Sequence, residues 1–440
     1  MINKKVIKDI ESLQKHIKSA HPSFYFSSQT STVIPYDKIE STLDTDNDYY
    51  LCDLSQMPKS MKILENGNLK VEGAVSWKEA REFLIPKGKT IKTAPTEELA
   101  LITAGAATSC TGERCFHFGN LRSQIHNITY VNHKGETQVL SKDKPFPYQS
   151  DRLKVYQQEF KLYENYKNAP YPRFETETDL LIGTEGQLGV ITEIEIEICD
   201  DEAVTHLFIL LPKWEENPQA HMEIIKKVQA FKNDIILCEL IDSNAFSFLS
   251  EEDRPNKGLD AIFLEIKSSS FDKVYEEFIF NLSCVNQEEI FELNASKFHN
   301  LRASIPRAVF EENSRMGVTK MGTDVQVKIE DFEALLAIYQ SFSKLGVRYN
   351  LFGHFGDAHL HFNFMPKNED ISKCQDAFQN MYKEVAKLKG SPFAEHGIGI
   401  IKQKFIKEFW SKNQIDLFQE LKQNYDPKNQ FFPQGFMNLR

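Results

Sequence analysis

The stretch LFGHFGDAHLHFNF (351–364) combines three histidines with a run of core-forming aromatic and aliphatic residues. If residues 358–364 are extended, successive side chains point to opposite faces of the strand. One face then carries Ala358, Leu360, Phe362 and Phe364, and the other carries His359, His361 and Asn363. The pattern predicts a strand with one face in the core and the other lining a polar space.

A further histidine, His354, precedes this strand between Gly353 and Gly356. Glycine permits a sharp turn of the backbone, which would bring His354 beside His361. Two neutral imidazoles are good ligands for zinc, iron or manganese, but a carboxylate usually completes such a site.

The candidate carboxylate lies in SPFAEHGIGI (391–400), where Glu395 stands next to His396 among glycines and apolar residues. A charge in such surroundings needs a partner, because an unpaired buried charge costs several kcal/mol. The residues alone also allow a second interpretation, in which the histidines are satisfied core residues or sit on a solvated rim.

Composition narrows the class of protein. A chain of 440 residues predicts two or three domains, and 41% hydrophobic with 26% charged residues is typical of a globular protein. The net charge of -11 argues against sequence-independent nucleic-acid binding. We expect no secretory signal and no transmembrane helix, because no apolar run has the required length. The seven scattered cysteines favour reduced thiols, and with them a cytoplasmic protein.

The order of predicted elements changes near residue 200. Before it we expect a helix over about 4–19, hairpins over 62–73 and 128–140, an irregular surface insertion over 141–175, and a half-buried strand over 190–198. After it, strand-like runs alternate with helical stretches at 219–231, 272–282 and 332–344. This alternation predicts a layer of strands covered by helices.

Two stretches are rich in small residues, LLIGTEGQLGVIT (180–192) and ITAGAATSCTGERCFHFGN (102–120). The first has glycines three residues apart, but it leads into a strand and does not match a dinucleotide fingerprint. The second could hold a flat or anionic ligand through backbone N–H groups. Tight turns without any ligand account for both stretches equally well.

Together these segments resemble the FAD-linked D-2-hydroxyacid dehydrogenases, of the D-lactate dehydrogenase and glycolate oxidase flavin-subunit type. DLLIGTEGQLGVITEIEI is similar to the family motif "DL-x-x-x-IGSEGTLGIIT", GHFGDAHLHFN parallels "GHxGDGNLHxN", and AEHGIG is identical to its counterpart. DLSQMPKSMKI and ITAGAATSCTGERCFHFG match two earlier family segments. The resemblance runs over most of the chain and in the family's order.

The resemblance implies an α+β fold with two domains. Residues 1–200 would form a PCMH-type FAD-binding domain of two α+β subdomains, related to vanillyl-alcohol oxidase. Residues 201–440 would form a substrate or cap domain, an antiparallel sheet covered by helices, whose last ~50 residues return to the flavin site.

The resemblance also implies roles for individual residues. His354, His361 and Glu395 match metal ligands, and His396 matches the catalytic base. Arg302, in LRASIP (301–306), would bind the substrate carboxylate, while Asn363 and Lys320, the latter in TKMGTDVQV (319–327), would contact the substrate. The implied FAD-binding residues are Ser27, Ser28, Gln29, Thr30, Ser31, Pro95, Thr103, Ala104, Gly105, Thr108, Ser109, Gly112, Gly119, Gly183, Gly186, Gly189, Val190 and Ile191.

Three segments depart from the family pattern. FSSQTSTV (26–33) keeps Thr30-Ser31 but has no glycine where the family has "GGGTS". Thr103-Ala104 replaces a pair of glycines, and FFPQGF (431–436) stands in place of "NPGK". The pyrophosphate loop contains no histidine, so non-covalent FAD is expected.

The implied reaction is oxidation of a D-2-hydroxyacid, such as lactate, glycolate or 2-hydroxyglutarate, to the 2-oxo acid. The family's chemistry passes a hydride to flavin N5, with a divalent metal (zinc, iron or manganese) lowering the pKa of the substrate hydroxyl. A quinone, an electron-transfer protein or a dye would then reoxidise the flavin. A homodimer and peripheral contact with the inner face of a membrane are compatible with the sequence. Two other functions remain open, a metal-dependent hydrolase and a non-catalytic descendant that acts as a binding or assembly subunit.

Overall fold

The computed structural model describes residues 2–42, 48–167, 172–255, 258–318 and 320–438. Its α-helices are α1 (Ile10–Lys18), α2 (Ile39–Thr42), α3 (Trp77–Leu84), α4 (Ile102–Thr108), α5 (Cys115–Phe118), α6 (Leu121–Gln124), α7 (Asp151–Phe160), α8 (Gln219–Val228), α9 (Ser243–Phe246), α10 (Phe271–Val274), α11 (Ala295–Met316), α12 (Phe332–Ser343), α13 (Ile371–Lys387) and α14 (Lys412–Tyr425). The predicted mixed α+β class is confirmed.

The strands of the first half are β1 (Ile2–Val6), β2 (Ser23–Phe26), β3 (Tyr49–Asp53), β4 (Ser60–Ile63), β5 (Leu69–Glu72), β6 (Lys89–Ile91), β7 (Ile125–Val131), β8 (Thr137–Ser141), β9 (Val190–Ile196) and β10 (Ile198–Asp200). Those of the second half are β11 (Val204–Leu211), β12 (Ile235–Ile241), β13 (Asp260–Lys267), β14 (Ile290–Leu293), β15 (Met321–Gly322), β16 (Val325–Gln326), β17 (Tyr349–His354) and β18 (His359–Phe364).

The chain divides into two compact units. The first contains residues 1–112, 120–201 and 395–440, and the second contains residues 113–119 and 202–394. The change of unit at residue 201 coincides with the change in sequence pattern, and the C-terminal residues belong with the first unit. None of the helices in the described ranges has the length and apolar character that a bilayer crossing requires.

The first unit contains a parallel sheet ordered β1-β3-β2, an antiparallel sheet ordered β4-β5-β9-β7-β8, and a small pairing of β6 with β10. Both predicted hairpins are present, as β4–β5 and β7–β8. In the central strand β9, Ile194 and Ile196 are buried while Glu193 and Glu195 are partly exposed. The predicted alternation of that strand is therefore confirmed.

Two predictions for the first unit were wrong in part. The expected helix over 4–19 begins only at Ile10, because Asp9 caps it by accepting a hydrogen bond from the Ser12 N–H at 2.7 Å. The residues before this cap form β1, which pairs with β3. The segment 141–175, expected to be irregular, contains α7; residues 168–171 lie outside the described part of the chain.

The helix α7 shows why that expectation failed. Its buried side chains are Leu153, Tyr156 and Phe160, which recur at the spacing of one helix face. Charged and amide residues separate these three positions, so the apolar periodicity of the helix is difficult to recognise in the sequence. The ring of Tyr156 packs 5.7 Å from that of Phe418 in α14, so the two helices share an aromatic contact within the first unit.

The second unit is built on an eight-stranded antiparallel sheet, ordered β14-β11-β13-β12-β17-β18-β15, with β16 also paired to β18. The strands predicted after residue 205 are present as β11, β12 and β13, and the helix predicted over 332–344 is α12. The stretch predicted over 272–282 is α10 followed by a π-helical turn, Tyr275–Ile279.

The two faces of this sheet carry different side chains. On one face Phe362 and Phe364 pack on Phe342 of α12, with ring centroids 5.3 and 5.2 Å apart. On the other face, Phe263 of β13 packs 5.2 Å from Phe298 of α11. Polar residues of β12, β17 and β18 share this second face with the α11 core, and the candidate site is built from them.

Candidate functional site

A row of histidines lies on the second face of the sheet. The antiparallel register pairs His354 with His359, Phe352 with His361 and Asn350 with Asn363. Directly opposed residues of an antiparallel pair project to the same side, so all three histidines share one face. Each offers a ring nitrogen, and these nitrogens lie within 4.8 Å of one another.

The turn that joins β17 to β18 makes this row possible. Gly353 has φ 140 and Ala358 has φ 52, both left-handed conformations. A Cβ added at Gly353 would stand 3.0 Å from the His359 carbonyl and from the His361 ring. The close approach of these strands at Gly353 therefore depends on the missing side chain.

Hydrogen bonds fix the orientation of two of these rings. The His361 Nδ1 lies 3.1 Å from the Thr323 carbonyl. A carbonyl only accepts, so Nδ1 carries the proton and Nε2 of the neutral ring carries the lone pair. The His354 Nδ1 lies 2.7 Å from a carboxylate oxygen of Glu239. Such contacts orient metal-binding histidines in known sites, and this donor set fits zinc, iron or manganese.

Sequence reasoning missed the two carboxylates that support the row. Glu239 is buried and is the single charged residue of β12, whose sequence is IILCELI. Asp324, also buried, approaches His359 Nε2 with one oxygen at 3.2 Å. A lone acid inside an otherwise apolar strand was the available signal, because a buried charge requires partners.

Arg302 projects from α11 and is half-buried between two acids. Its guanidinium contacts the Glu113 carboxylate, and its Nη2 lies 3.4 Å from Glu239 Oε2. Glu239 thus bridges Arg302 to His354 on the sheet. The structure places the predicted carboxylate-binding arginine in one charged network with a predicted metal ligand.

The two predicted substrate-contacting residues lie at the β15 edge. Asn363 is buried and donates to the Asn350 side-chain oxygen at 2.9 Å. Gly322 is paired with Asn363, and a Cβ at that glycine would meet Asn363 Oδ1 at 2.6 Å. Lys320 is exposed, and its Cε would lie 3.9 Å from the same Cβ. Thr319, the first residue of the predicted TKMGTDVQV segment, lies outside the described residues.

Ala394 is the last residue of the second unit, and the next two residues, Glu395 and His396, belong to the first unit. Glu395 is buried and His396 is partly exposed. The turn that follows them is held by Glu185, whose carboxylate accepts from the N–H groups of Ile398 at 2.5 Å and Gly399 at 2.9 Å. Burial raises the pKa of Glu185 to about 7, although both N–H bonds favour the ionised form.

Three of the segments predicted to bind FAD are connected, within the first unit, to one another and to the turn that follows Glu395 and His396. The Glu185 N–H donates to the Ala107 carbonyl at 2.8 Å, which joins the glycine segment to the end of α4. The Ile400 N–H donates to the Val33 carbonyl at 3.0 Å, which joins the C-terminal turn to the loop after β2. With the Glu185 contacts above, these bonds connect residues 26–33, 102–109, 180–191 and 395–401.

The loop after β2 contains Ser27, Ser28, Gln29, Thr30 and Ser31. Gln29 has φ 56, a left-handed conformation that glycine adopts without steric cost. The loop has therefore kept a backbone conformation suited to glycine although the family's glycines are absent. Its hydroxyl and N–H groups are of the kinds that donate hydrogen bonds to a diphosphate.

The other predicted FAD residues occupy α4, its surroundings and the glycine segment. Thr103, Ala104, Gly105 and Thr108 are on α4, and Ser109 ends it with φ 51; Val190 and Ile191 begin β9. A Cβ at Gly112 would meet the Ala94 carbonyl at 1.9 Å, beside Pro95, whereas nothing lies within 4 Å of one at Gly186. Gly183 and Gly189 both have positive φ.

The predicted set fits an anionic dinucleotide cofactor in its chemistry. None of its eighteen residues is acidic, and a carboxylate would repel a diphosphate. No described atom beyond its chain neighbours lies within 4 Å of a Cβ built at Gly186, so the backbone there is not covered. Gly119 is the exception in position, because it belongs to the second unit, where it ends α5.

Comparison with known protein families matches two stretches of the chain, each to a different family. Residues 205–434 match the family described as FAD linked oxidases, C-terminal domain. Residues 25–141 match the family described as FAD binding domain.

Two curated relatives are dehydrogenases by name. The chain is 23% identical over 397 residues to the mitochondrial D-lactate dehydrogenase [cytochrome] of Kluyveromyces lactis, covering 85% of this chain and 63% of the relative. It is 22% identical over 359 residues to the D-2-hydroxyglutarate dehydrogenase of Xanthomonas citri pv. viticola, covering 74% of this chain and 66% of the relative. The chain therefore spans somewhat less than two thirds of the length of each.

Among solved structures, an alkyldihydroxyacetonephosphate synthase superposes with a TM-score of 0.69 at 13% identity. The superposition covers 97% of this chain and 75% of that one. At this identity the likeness concerns the fold, which extends over nearly the whole chain.

Proposed function

The chain belongs to the FAD-linked oxidases, with the predicted PCMH-type FAD-binding fold, and from this membership we propose that it oxidises the CH–OH group of a D-2-hydroxyacid to a 2-oxo acid. The names of its curated relatives, D-lactate and D-2-hydroxyglutarate dehydrogenase, support this substrate class. The observation that carries the proposal is the row of three histidines whose ring nitrogens lie within 4.8 Å of one another.

We propose that His354 and His361 hold a divalent metal with Glu395. The hydrogen bonds of the two rings to Glu239 and Thr323 support this role, since they fix which nitrogen faces a ligand. Chain connectivity supports the third ligand. Glu395 directly follows Ala394, whose N–H donates to the Asp324 carbonyl at 3.0 Å, and Asp324 contacts the third histidine, His359.

A divalent metal, when bound, supplies positive charge that favours the ionised form of a substrate hydroxyl. FAD, when bound, supplies an acceptor for the two electrons that leave the substrate carbon. The loop 27–31, α4 and the glycine segment 183–191 are the parts of this chain proposed to hold FAD. An external acceptor, a quinone, an electron-transfer protein or a dye, would then restore the oxidised cofactor.

The substrate itself would be held by charge and by amide groups. Arg302 is proposed to bind the carboxylate, which is a charge-assisted contact worth roughly 1.5–3 kcal/mol. Asn363 and Lys320 are proposed to contact the remaining polar atoms. Glu113 and Glu239 already accept from Arg302, so a substrate carboxylate would share the guanidinium with these two acids.

His396 is proposed to take the proton of the substrate hydroxyl. An imidazole suits this task because its usual pKa lies near neutrality. Its position in the chain supports the assignment, since it lies next to Glu395 and just before a turn that Glu185 holds in place. His396 would then act from a backbone whose conformation is fixed.

Anaerobic flavin bleaching tests this proposal. FAD-loaded, metal-replete protein is mixed with D-lactate, glycolate and D-2-hydroxyglutarate, and the flavin absorbance is followed. We expect at least one acid to bleach it, whereas a protein that stays yellow with all three would contradict the proposal.

A variant separates catalysis from cofactor binding. His396→Ala should retain FAD, but its flavin should be reduced at least 100-fold more slowly. A positioned general base contributes a rate factor of roughly this size. His133→Ala, a half-exposed histidine of the same unit, serves as the matched control and should bleach at the wild-type rate. Equal rates in both variants would remove His396 from its role. A purified protein without flavin absorbance, which FAD does not restore, would favour the hydrolase or the non-catalytic binding subunit.

A further inference from the structure

A second cluster of metal-binding side chains lies elsewhere on the second unit's sheet. It consists of His206 on β11, Glu265 on β13 and His299 on α11. We propose that these three residues form a binding site for a zinc-like divalent cation, separate from the histidine row. This inference goes beyond the proposed function and does not rest on it.

The fold brings the three residues together from distant parts of the chain. The antiparallel register pairs His206 directly with Glu265, so both side chains project from the same face of the sheet. This face is covered by α11, where Phe298 packs 4.6 Å from the His206 ring. The next residue of α11, His299, approaches Glu265 from above.

The distances fit a metal better than they fit hydrogen bonds. Glu265 Oε1 lies 3.6 Å from His206 Nε2 and 3.5 Å from His299 Nε2. Good hydrogen bonds to such atoms are shorter, about 2.7–3.2 Å. Ligands placed about 2.0–2.1 Å from a tetrahedral zinc are separated by about 3.3–3.4 Å. Small shifts would therefore admit an ion that all three atoms contact.

Two of these ligand atoms have no other use among the described residues. His206 is 5% and Glu265 0% exposed, and neither His206 Nε2 nor Glu265 Oε1 has a hydrogen-bond partner there. A buried polar atom without a partner is costly. A bound cation would satisfy both atoms at once.

The charge of Glu265 suits the same role. Its second oxygen, Oε2, lies 3.3 Å from Arg114 Nη2, so Oε1 is the oxygen that remains for an ion. Arg114 thus pairs with one oxygen of the carboxylate, and the other oxygen faces the two imidazoles.

The ligand set selects the class of cation and the nature of the site. Two imidazoles and one carboxylate favour zinc, cobalt or nickel over magnesium and calcium, which prefer oxygen ligands. The His299 side chain is 49% exposed, so an ion can enter from solvent and keep a water as its fourth ligand. Such an ion would tie α11 to β11 and β13, one helical turn before Arg302.

Zinc binding to the FAD-loaded 440-residue chain tests the inference. The protein is stripped of metal with a chelator and then titrated with zinc alone, and bound zinc is counted by elemental analysis after dialysis. All variants carry His361→Ala, which takes one ligand from the histidine row and so weakens it as a competing site. We expect one zinc per chain in this background and at least a tenfold loss of affinity on adding His299→Ala or Glu265→Gln.

Two further measurements keep the inference falsifiable if one variant folds poorly. Zinc should raise the thermal unfolding midpoint of the His361→Ala protein, whereas adding His299→Ala should abolish that rise. Adding His133→Ala instead should leave it intact, and magnesium should produce no rise in any of them. Zinc binding and a midpoint rise that survive both His299→Ala and Glu265→Gln would overturn the inference. Neither measurement uses flavin reduction, so failure of the proposed dehydrogenase activity would not affect the test of this zinc site.

Discussion

Glu185→Gln should change how the stability of the protein depends on pH. Glu185 is a carboxylate that accepts from the N–H groups of Ile398 and Gly399. Burial raises its pKa from 4.5 to about 7. A glutamine of nearly the same shape can still accept a hydrogen bond, but it does not titrate.

The magnitude follows from the two pKa values. A pKa raised from 4.5 to about 7 corresponds to about 3 kcal/mol, since each pKa unit is worth about 1.4 kcal/mol. The folded protein binds this proton more tightly than the unfolded chain. The contribution of Glu185 to stability is therefore complete below pH 4.5 and is lost as the pH rises through about 7.

The assay is urea unfolding of wild type and Glu185→Gln between pH 4.5 and 8, at equal FAD loading. We expect the free energy of unfolding of the wild type, relative to the variant, to fall by about 3 kcal/mol across this window. Glu79→Gln is the matched control. The contacts of Glu79 with Lys59 and Ser76 lower its pKa even though burial opposes this, so its proton is lost below the window.

A local measurement tests the same contact without assuming a single cooperative transition. Above pH 7, where Glu185 is ionised, amide exchange of the peptide that contains Ile398 and Gly399 should be about tenfold faster in Glu185→Gln. The carboxylate offers one oxygen to each N–H group, whereas glutamine offers a single oxygen for both. If the free energies of unfolding of wild type and variant differ by the same amount at every pH from 4.5 to 8, the reasoning is refuted. Such a result would mean that solvent or a cation reaches Glu185 in solution.

Three further substitutions test other parts of the structure by urea unfolding. Lys422→Met removes one partner of a buried ion pair and should lower the free energy of unfolding by about 3–5 kcal/mol. Its control, Lys428→Met at an exposed site, should change that free energy by less than about 0.5 kcal/mol. Equal effects of the two substitutions would contradict the pairing. Gln29→Gly relieves a left-handed φ of 56 and should stabilise by up to about 1 kcal/mol with FAD binding intact, so a loss of stability would show that the side chain has its own contacts. Gly322→Ala places a Cβ 2.6 Å from Asn363 Oδ1 and should destabilise by about 1–3 kcal/mol. An unchanged midpoint would show that Asn363 can move aside.

Much of the fold was accessible from local sequence pattern. Alternation predicted β9 and β18, and the hairpin predicted over 62–73, which turns at Asn66-Gly67, is β4–β5. These features depend on neighbours along the chain, so a short window contains the information. The start of α1 was misjudged for the opposite reason, because β1 forms only by pairing with β3, more than forty residues away.

The sequence named the histidines, Arg302 and Asn363 of the candidate site but not Glu239 or Asp324, and the roles of the named residues remain predictions. His354 and His361 stand out because their motif places polar residues on one face of a strand. Glu239 gave a weaker signal, since its role depends on β12 pairing with β17, more than a hundred residues later in the chain. The network through Arg302 was invisible for the same reason.

The sequence by itself determined which residues could supply imidazole, carboxylate and guanidinium groups, and which strand faces would be polar, because both follow from residue type and from the period of two in a strand. The tertiary structure decided the pairings, His354 with Glu239, Ile398 with Glu185, and His206 with Glu265. Strand register and loop closure set these contacts, and both depend on packing between segments that lie far apart in the chain.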